Sequence, residues 1–335
     1  MDINELIRAK QRYDQLVHWA EPERYAATNL FQDGIPSRFR HGGPPSPDQM
    51  VTGAQYRAMG DFLAGRPCDE AAFSSLTGLS VAEAKAAVGA ADPVIAPIPE
   101  KAVILTFDDS TVDHYNIVCP TLERYGAHAV LCSTEMEHDF FSGANFSDKS
   151  IYMTWEQIKE LSDRGHEIAN HSWHHAERFD DKPDDYVREE MHGLEERCAQ
   201  FGIPKPITFA CPMTGATKRV AGLMQEMGYL WGRGAFEDGT VFPRGSVYYD
   251  PYADSPFGVP GYMDMTTEGT LAAIDRIPQG QVMLLVFHQV TGGMPGPDFE
   301  TVVRHIYEVG GQCLTFRELS NYVDPVKAAA YFAEA

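Results

Sequence analysis

From Lys101 onward the chain alternates short apolar runs with amphipathic segments, and this alternation leaves few folds open. The runs fall at 102–107, 128–133, 167–170, 207–211, 229–232, 282–287 and 312–315, and their length suits strands rather than helices. Helical stretches lie between them. One begins at Thr154, where Gln157 completes a capping box and Trp155, Ile158 and Leu161 share a face. Another groups Val220, Leu223, Met224 and Met227, and a third groups Phe299, Val302, Val303 and Ile306. About seven strands alternating with helices predict an α/β fold, a distorted (β/α) barrel over 101–323. In such a barrel the chemistry sits on loops leaving the C-terminal ends of the strands.

Residues 1–100 read differently. A helix is expected from Ile3 to about Trp19, then a turn-rich passage from His41 to Pro47, then helical segments near 48–65 and 80–90. The second of these starts at Ser80-Val81-Ala82-Glu83, another capping box. Pro93, Pro97 and Pro99 mark a linker. This N-terminal helical extension is expected to pack on the barrel or to build a homo-oligomer contact, and 324–335 forms a short C-terminal tail.

Composition narrows the function classes. A formal charge of −21 repels phosphate backbones and anionic lipid, which argues against nucleic-acid and membrane-surface partners. No apolar stretch is long enough to span a bilayer, and Met1–Leu6 lacks the basic and apolar segments of a secretory signal. Cys68, Cys119, Cys132, Cys198, Cys211 and Cys313 are scattered without a C-x-x-C pair, so buried reduced thiols and a cytoplasmic location are expected.

Asp108 and Asp109 follow the first apolar run directly, and two adjacent buried carboxylates require a proton, a cation or a metal between them. His171, His174 and His175 follow the third run. His171 pairs with His175 at i, i+4 or with His174 at i, i+3, and spacing alone leaves both open. His288 ends the run Val282–Phe287, where an imidazole can protonate a leaving amine. Two nitrogens and one oxygen can hold a divalent ion while the spare carboxylate accepts a proton from water, a set that cleaves amides and esters. Aromatic residues that can stack on a sugar ring or line a substrate site include Trp231, Tyr252 and others of the long segment Gly232–Met265. His114, His138 and Asp139 are expected to be solvent-facing or structural.

On these residues the sequence resembles the polysaccharide deacetylase family, also called carbohydrate esterase family 4 or the NodB-homology domain. Thr106-Phe107-Asp108-Asp109-Ser110 is similar to its T-F-D-D-G motif. Tyr152–Ile158, running on to His166-Glu167-Ile168 and Asn170-His171-Ser172, resembles its approach to H-[S/T]-x-x-H, and Gln312–Leu319 its closing strand and helix. The resemblance covers about 101–323. It implies one divalent metal, usually zinc, with Co2+, Ni2+ or Mn2+ as alternatives, held by Asp109, His171 and His175. Asp108 is then the general base and His288 the general acid.

The family's third motif, approximately F-R-x-P-Y, departs here to Phe209-Ala210-Cys211-Pro212-Met213. Met213 keeps a backbone N–H for the oxyanion, but the arginine that orients the base is absent, with Arg233 and Lys218 as substitutes to consider. The carboxylate behind His288 falls among Asp250, Asp254 and Asp264. The implied activity is metal-dependent hydrolysis of a C–N amide, foremost N-deacetylation of an acetylated amino sugar or oligosaccharide. Hydrolysis of a small linear or cyclic amide, as in allantoinase- or imidase-like relatives, and a non-catalytic glycan-binding role are the alternatives.

Overall fold

The computed structural model describes residues 53–63, 67–84, 93–136, 144–175, 179, 182–215, 217–235, 247–252, 254–263, 266–291 and 297–330. The expected helix at Ile3–Trp19 lies outside them. The chain divides into two compact units, the first up to Asp92 and the second from Pro93.

In the first unit, helices Gly53–Leu63 (α1) and Glu70–Thr77 (α2) pack through a small apolar cluster of Ala58, Phe62, Phe73, Leu79 and Ala84. The Ser80 capping box forms: Glu83 N–H donates to Ser80 Oγ at 3.2 Å and Ser80 N–H to Glu83 Oε2 at 2.9 Å.

The second unit is one curled sheet wrapped in helices. Its strands are β1 (Ala102–Asp108), β2 (Val130–Ser133), β3 (Glu167–Asn170), β4 (Thr208–Gly215), β5 (Trp231–Ala235), β6 (Tyr248–Tyr249), β7 (Gly261–Tyr262), β8 (Val282–Phe287) and β9 (Gln312–Leu314). They run in the order β5-β4-β3-β2-β1-β8-β6, with β7 also on β8 and β9 on the first half of β1. All pairings are parallel except β6 with β8. A parallel bridge between Arg233 and Val259 joins β5 to the segment entering β7, so the two ends of the sheet meet and the distorted barrel closes there.

Alternation along each strand sorts side chains onto an outward and an inward face. Val103, Leu105 and Phe107 point outward with Met283, Leu285 and Phe287. They meet helices Trp155–Asp163 (α3), Asp184–Gln200 (α4) and Phe299–Glu308 (α5) through Ile158, Leu161, Leu194, Val302, Val303 and Ile306. Phe107 stacks on Phe287 at 5.4 Å and meets Phe299 edge-on at 5.5 Å, packing whose loss in a Phe→Ala change costs about 3–5 kcal/mol. Ala102, Ile104, Val130, Cys132, Ala169, Ala210, Trp231, Leu284 and Val286 point inward and fill the barrel. The Thr154–Gln157 capping box starts α3 as its sequence predicts, with both reciprocal hydrogen bonds present. Among the described residues no helix is long and apolar enough to cross a membrane.

Candidate active site

The inward alternation places the polar groups. On β1 the inward positions 102 and 104 continue to 106 and 108; on β3, 169 continues to 171; on β5, 231 continues to 233; on β8, 284 and 286 continue to 288. Thr106, Asp108, His171, Arg233 and His288 therefore converge from four strands at the C-terminal mouth of the barrel, and Asp109 joins them from the turn after β1.

His171 Nε2 lies 3.7 Å from Asp109 Oδ1, and His175 Nε2 lies 3.6 Å from the same oxygen. These separations are too long for hydrogen bonds. They match the spacing of roughly 3.4 Å between donors that each sit about 2.1 Å from one ion in a tetrahedral set. One ligand atom from each of Asp109, His171 and His175 falls within 4.8 Å of the others. The residues fit a divalent metal in their chemistry as well. His171 Nδ1–H donates to the Ala210 carbonyl at 2.7 Å, which fixes the tautomer and turns the Nε2 lone pair into the site. Burial lowers the His171 pKa to about 3 against the pull of Asp108, so the imidazole stays neutral and able to ligate.

The choice between His174 and His175 is decided by a neighbour. Glu190 of α4 receives the His174 main-chain N–H at 3.0 Å and binds its Nδ1 at 2.9 Å, which turns that ring away onto the helix. His175 is left to face Asp109, its ring 4.9 Å from that of His171. The turn is tight: Ser172 and His175 both have positive φ, 61° and 51°. Asp109 and Ser110 do too, at 73° and 55°, as does Met213 of β4 at 56°, so five of the six left-handed non-glycine residues among those described lie at the C-terminal ends of the strands that carry the site. Ser110, standing where the resembling motif has glycine, offsets its strain with two bonds to Thr134, accepting from its N–H at 3.0 Å and donating to its carbonyl at 3.2 Å.

Asp108 is gripped by Arg233. Nη1 donates to Oδ1 at 2.6 Å and Nη2 to Oδ2 at 2.7 Å, a bidentate pair, and Nη1 also reaches Thr106 Oγ1 at 3.0 Å. Burial pushes the Asp108 carboxyl up, but the guanidinium, with His171 and His288, outweighs it and holds the group well below the ordinary carboxylate range. Of the two substitutes for the absent third-motif arginine, Arg233 takes the place and Lys218 does not: the cation arrives from β5 instead of β4. Ala210, at the vacated position, contributes its carbonyl to His171. His288 Nε2 stands 3.9 Å from both Asp108 Oδ2 and Asp109 Oδ2.

Other sequence candidates fall elsewhere. Trp231 is fully buried at the start of β5, packed edge-on against Tyr249 and tilted against Phe316 and donating its indole N–H to Ser320, so it is a core residue and not a substrate contact. Tyr229 and Leu230 before it carry the signal for a strand, and nothing local indicates which end of the barrel it occupies. Tyr252 follows β6, which runs antiparallel toward the start of β8, away from His288; its amide donates to Asp250. Asp250 and Asp254 are joined to each other in that same region, Asp254 Oδ2 accepting the Asp250 N–H at 2.7 Å, and are not the carboxylates beside His288. Asp264, Phe236, Phe242, His138 and Asp139 lie outside the described residues. Met213, by contrast, is exposed near the C-terminal end of β4, at the same mouth of the barrel as the site. His114 proves fully buried rather than solvent-facing.

Residues 96–231 match the family profile described as polysaccharide deacetylase. Poly-beta-1,6-N-acetyl-D-glucosamine N-deacetylase of Escherichia coli K12 is 34% identical over 84 residues, 23% of this chain and 12% of that protein. YxkH of Bacillus subtilis, a polysaccharide deacetylase by name, is 35% identical over 78 residues, 23% of this chain and 25% of its own length. These matches therefore span at most a quarter of either relative. Among solved structures, the chitin deacetylase of Colletotrichum lindemuthianum aligns with a TM-score of 0.47 at 12% identity, covering 70% of this chain and 96% of that one.

Proposed function

We propose, since the chain belongs to the polysaccharide deacetylase family, that it removes the acetyl group from an N-acetylated amino sugar or its oligomer by metal-dependent amide hydrolysis. The observation that carries this reading is the meeting of Asp109, His171 and His175 within 4.8 Å, beside a second carboxylate already held by an arginine. A divalent ion, zinc first and Co2+, Ni2+ or Mn2+ as alternatives, would be held by Asp109 Oδ1, His171 Nε2 and His175 Nε2. When bound, it supplies Lewis acidity that makes water nucleophilic near neutral pH and polarises the acyl carbonyl.

The chain's own groups do the rest. Asp108 is anionic throughout the physiological range and takes the proton of the attacking water, with Arg233 fixing the plane of its carboxylate. Oδ2 is the oxygen turned to His171 and His288, and so the one that accepts. The Met213 N–H is the candidate donor to the oxyanion. His288 Nε2 gives a proton to the departing nitrogen as the C–N bond breaks. Its 3.9 Å separation from both carboxylates is too long for a hydrogen bond, so Nε2 is not committed to either oxygen. Loss of such an acid costs on the order of 10²–10⁴ in rate.

A second reading, hydrolysis of a small linear or cyclic amide, draws on Ala210 and Met213, which depart from the family's third motif. The test is metal analysis of the purified protein with acetate release measured from N-acetylglucosamine oligomers and ring opening measured on a cyclic ureide. One divalent ion per chain, lost in His171→Ala and retained in an inactive Asp108→Asn, is the expected result. Full activity in Asp108→Asn would sink the base assignment, and turnover of the ureide alone would move the substrate class.

A further inference from the structure

Three polar residues outside the catalytic set are buried just behind it. Thr111, Asp113 and His114 follow the Asp108–Asp109 turn and are 4%, 8% and 0% exposed. Placing a carboxylate and an imidazole there is costly unless their bonds are satisfied. Those bonds run to one place, the segment just after β8. His114 Nε2–H donates to the His288 carbonyl at 2.7 Å. Asp113 Oδ2 accepts the main-chain N–H groups of Val290 at 2.6 Å and Thr291 at 3.2 Å.

Thr111 ties the two together, donating its hydroxyl to Asp113 Oδ1 at 2.5 Å and lying 2.9 Å from His114 Nε2. His114 opens a π-helical turn, His114–Val118, a widened coil that proteins retain chiefly where it sets a side chain for a purpose. Phe107, the residue before Asp108, packs edge-on against the His114 ring at 5.5 Å.

We propose that Asp113 and His114, joined through Thr111, are positioning residues for His288: they clamp the backbone immediately C-terminal to its Cα, where β8 ends, so that Nε2 meets the leaving nitrogen. The inference rests on the reading of His288 as the acid. The clamp reaches the chain at residue 288 and again at 290 and 291, so it constrains the peptide that carries the ring and leaves Nε2 itself free. Without it the polypeptide after Phe287 loses three hydrogen bonds at once. A misplacement of about 1 Å is enough to cost on the order of 10²-fold at a reacting centre.

Leaving-group dependence separates this role from a structural one. An amine departs only with a proton, whereas 4-nitrophenolate departs without one, so an acid out of place penalises the amide and spares the aryl ester. Turnover of an N-acetylglucosamine oligomer and of 4-nitrophenyl acetate is measured for the zinc-loaded wild type, His288→Ala, His114→Phe and His114→Gln. In both His288→Ala and His114→Phe the ester-to-amide ratio of kcat is expected to rise at least 10-fold, with KM for the oligomer within twofold of wild type. His114→Gln, whose amide nitrogen can donate to the same carbonyl, is expected to restore most of the ratio. Equal losses on both substrates, or an unaltered ratio, would overturn the proposal. Should His114→Phe not fold, Thr111→Val carries the same comparison. Crystal structures of wild type and His114→Phe give an arm independent of turnover: a His288 ring that keeps its place beside Asp108 and Asp109 would overturn the clamp even if the protein hydrolysed no amide, while a displaced ring in an inactive protein would uphold the clamp and dismiss the activity.

Discussion

Arg233 is the residue on which the departure from the family motif turns. Its fork matches both oxygens of Asp108, and lysine cannot reproduce that with one point charge. Arg233→Lys is expected to keep the fold and lower kcat by on the order of 10-fold or more. Its pH–rate profile should also lose its acid limb at higher pH than wild type, because the carboxylate is less strongly held down. Arg233→Met leaves a buried anion uncompensated and should cost about 3–5 kcal/mol in denaturant unfolding. An acid limb that did not move in Arg233→Lys would count against Asp108 as the titrating base. Much of this was readable from residues alone: Asp108, Asp109, His171 and His288 each follow an apolar run that becomes a strand. Arg233 stood beside Lys218 without distinction, because its pairing crosses 125 positions and no local spacing encodes it. Thr111 and Asp113 carry no local signal and His114 reads only as solvent-facing or structural for the same reason, the partners of the cluster lying 174 or more positions away.

At the scale of elements, buried parallel strands announce themselves as apolar runs, which is why 282–287 agrees with β8 to the residue; 167–170 agrees with β3 as closely, although Glu167 and Asn170 are polar at its ends. The two-residue strands β6 and β7 carry no pattern long enough to detect. The histidine turn after β3 depends on α4 for its shape. Trp173 donates its main-chain N–H to the Glu190 carbonyl, its indole N–H to Glu135, and its ring lies over the helix at Gly193. Glu135 also receives the indole N–H of Trp155 at 2.6 Å, so the ring of Trp173 has little freedom to retreat. A methyl at position 193 would come within 2.1 Å of the indole. Alanine normally favours a helix over glycine, yet Gly193→Ala is expected to destabilise the protein by about 1–3 kcal/mol, the range of overpacking. It should also weaken metal binding, since His174 stacks on Trp173 at 4.3 Å and His175 follows directly. Equilibrium dialysis beside urea unfolding checks both; wild-type metal affinity with lowered stability would detach the turn from the helix.

For the whole molecule, proton linkage sets the stability profile. Burial holds His114, His166 and His171 below the usual imidazole range, His171 at about 3. The unfolded chain therefore binds more protons than the folded one below roughly pH 6.5. Stability from these groups is complete above that pH and is lost as pH falls toward their folded values. Glu167, raised by burial, runs the opposite way and blunts the slope, one group against three. The melting temperature of the metal-free protein should fall between pH 7 and pH 5, and the increment gained on adding zinc should shrink over the same interval as protons compete for His171 and His175. A flat profile would mean that the imidazoles titrate normally.

The sheet's two ends are joined at Arg233, whose backbone bridges to Val259 while its side chain grips Asp108. Architecture and reactivity thus share a single hinge-pin. Any strain that pries the cylinder apart at that seam must loosen Asp108, the proposed proton acceptor, before it disturbs the outer helices, so chemical competence should fade at a lower dose of urea than secondary structure.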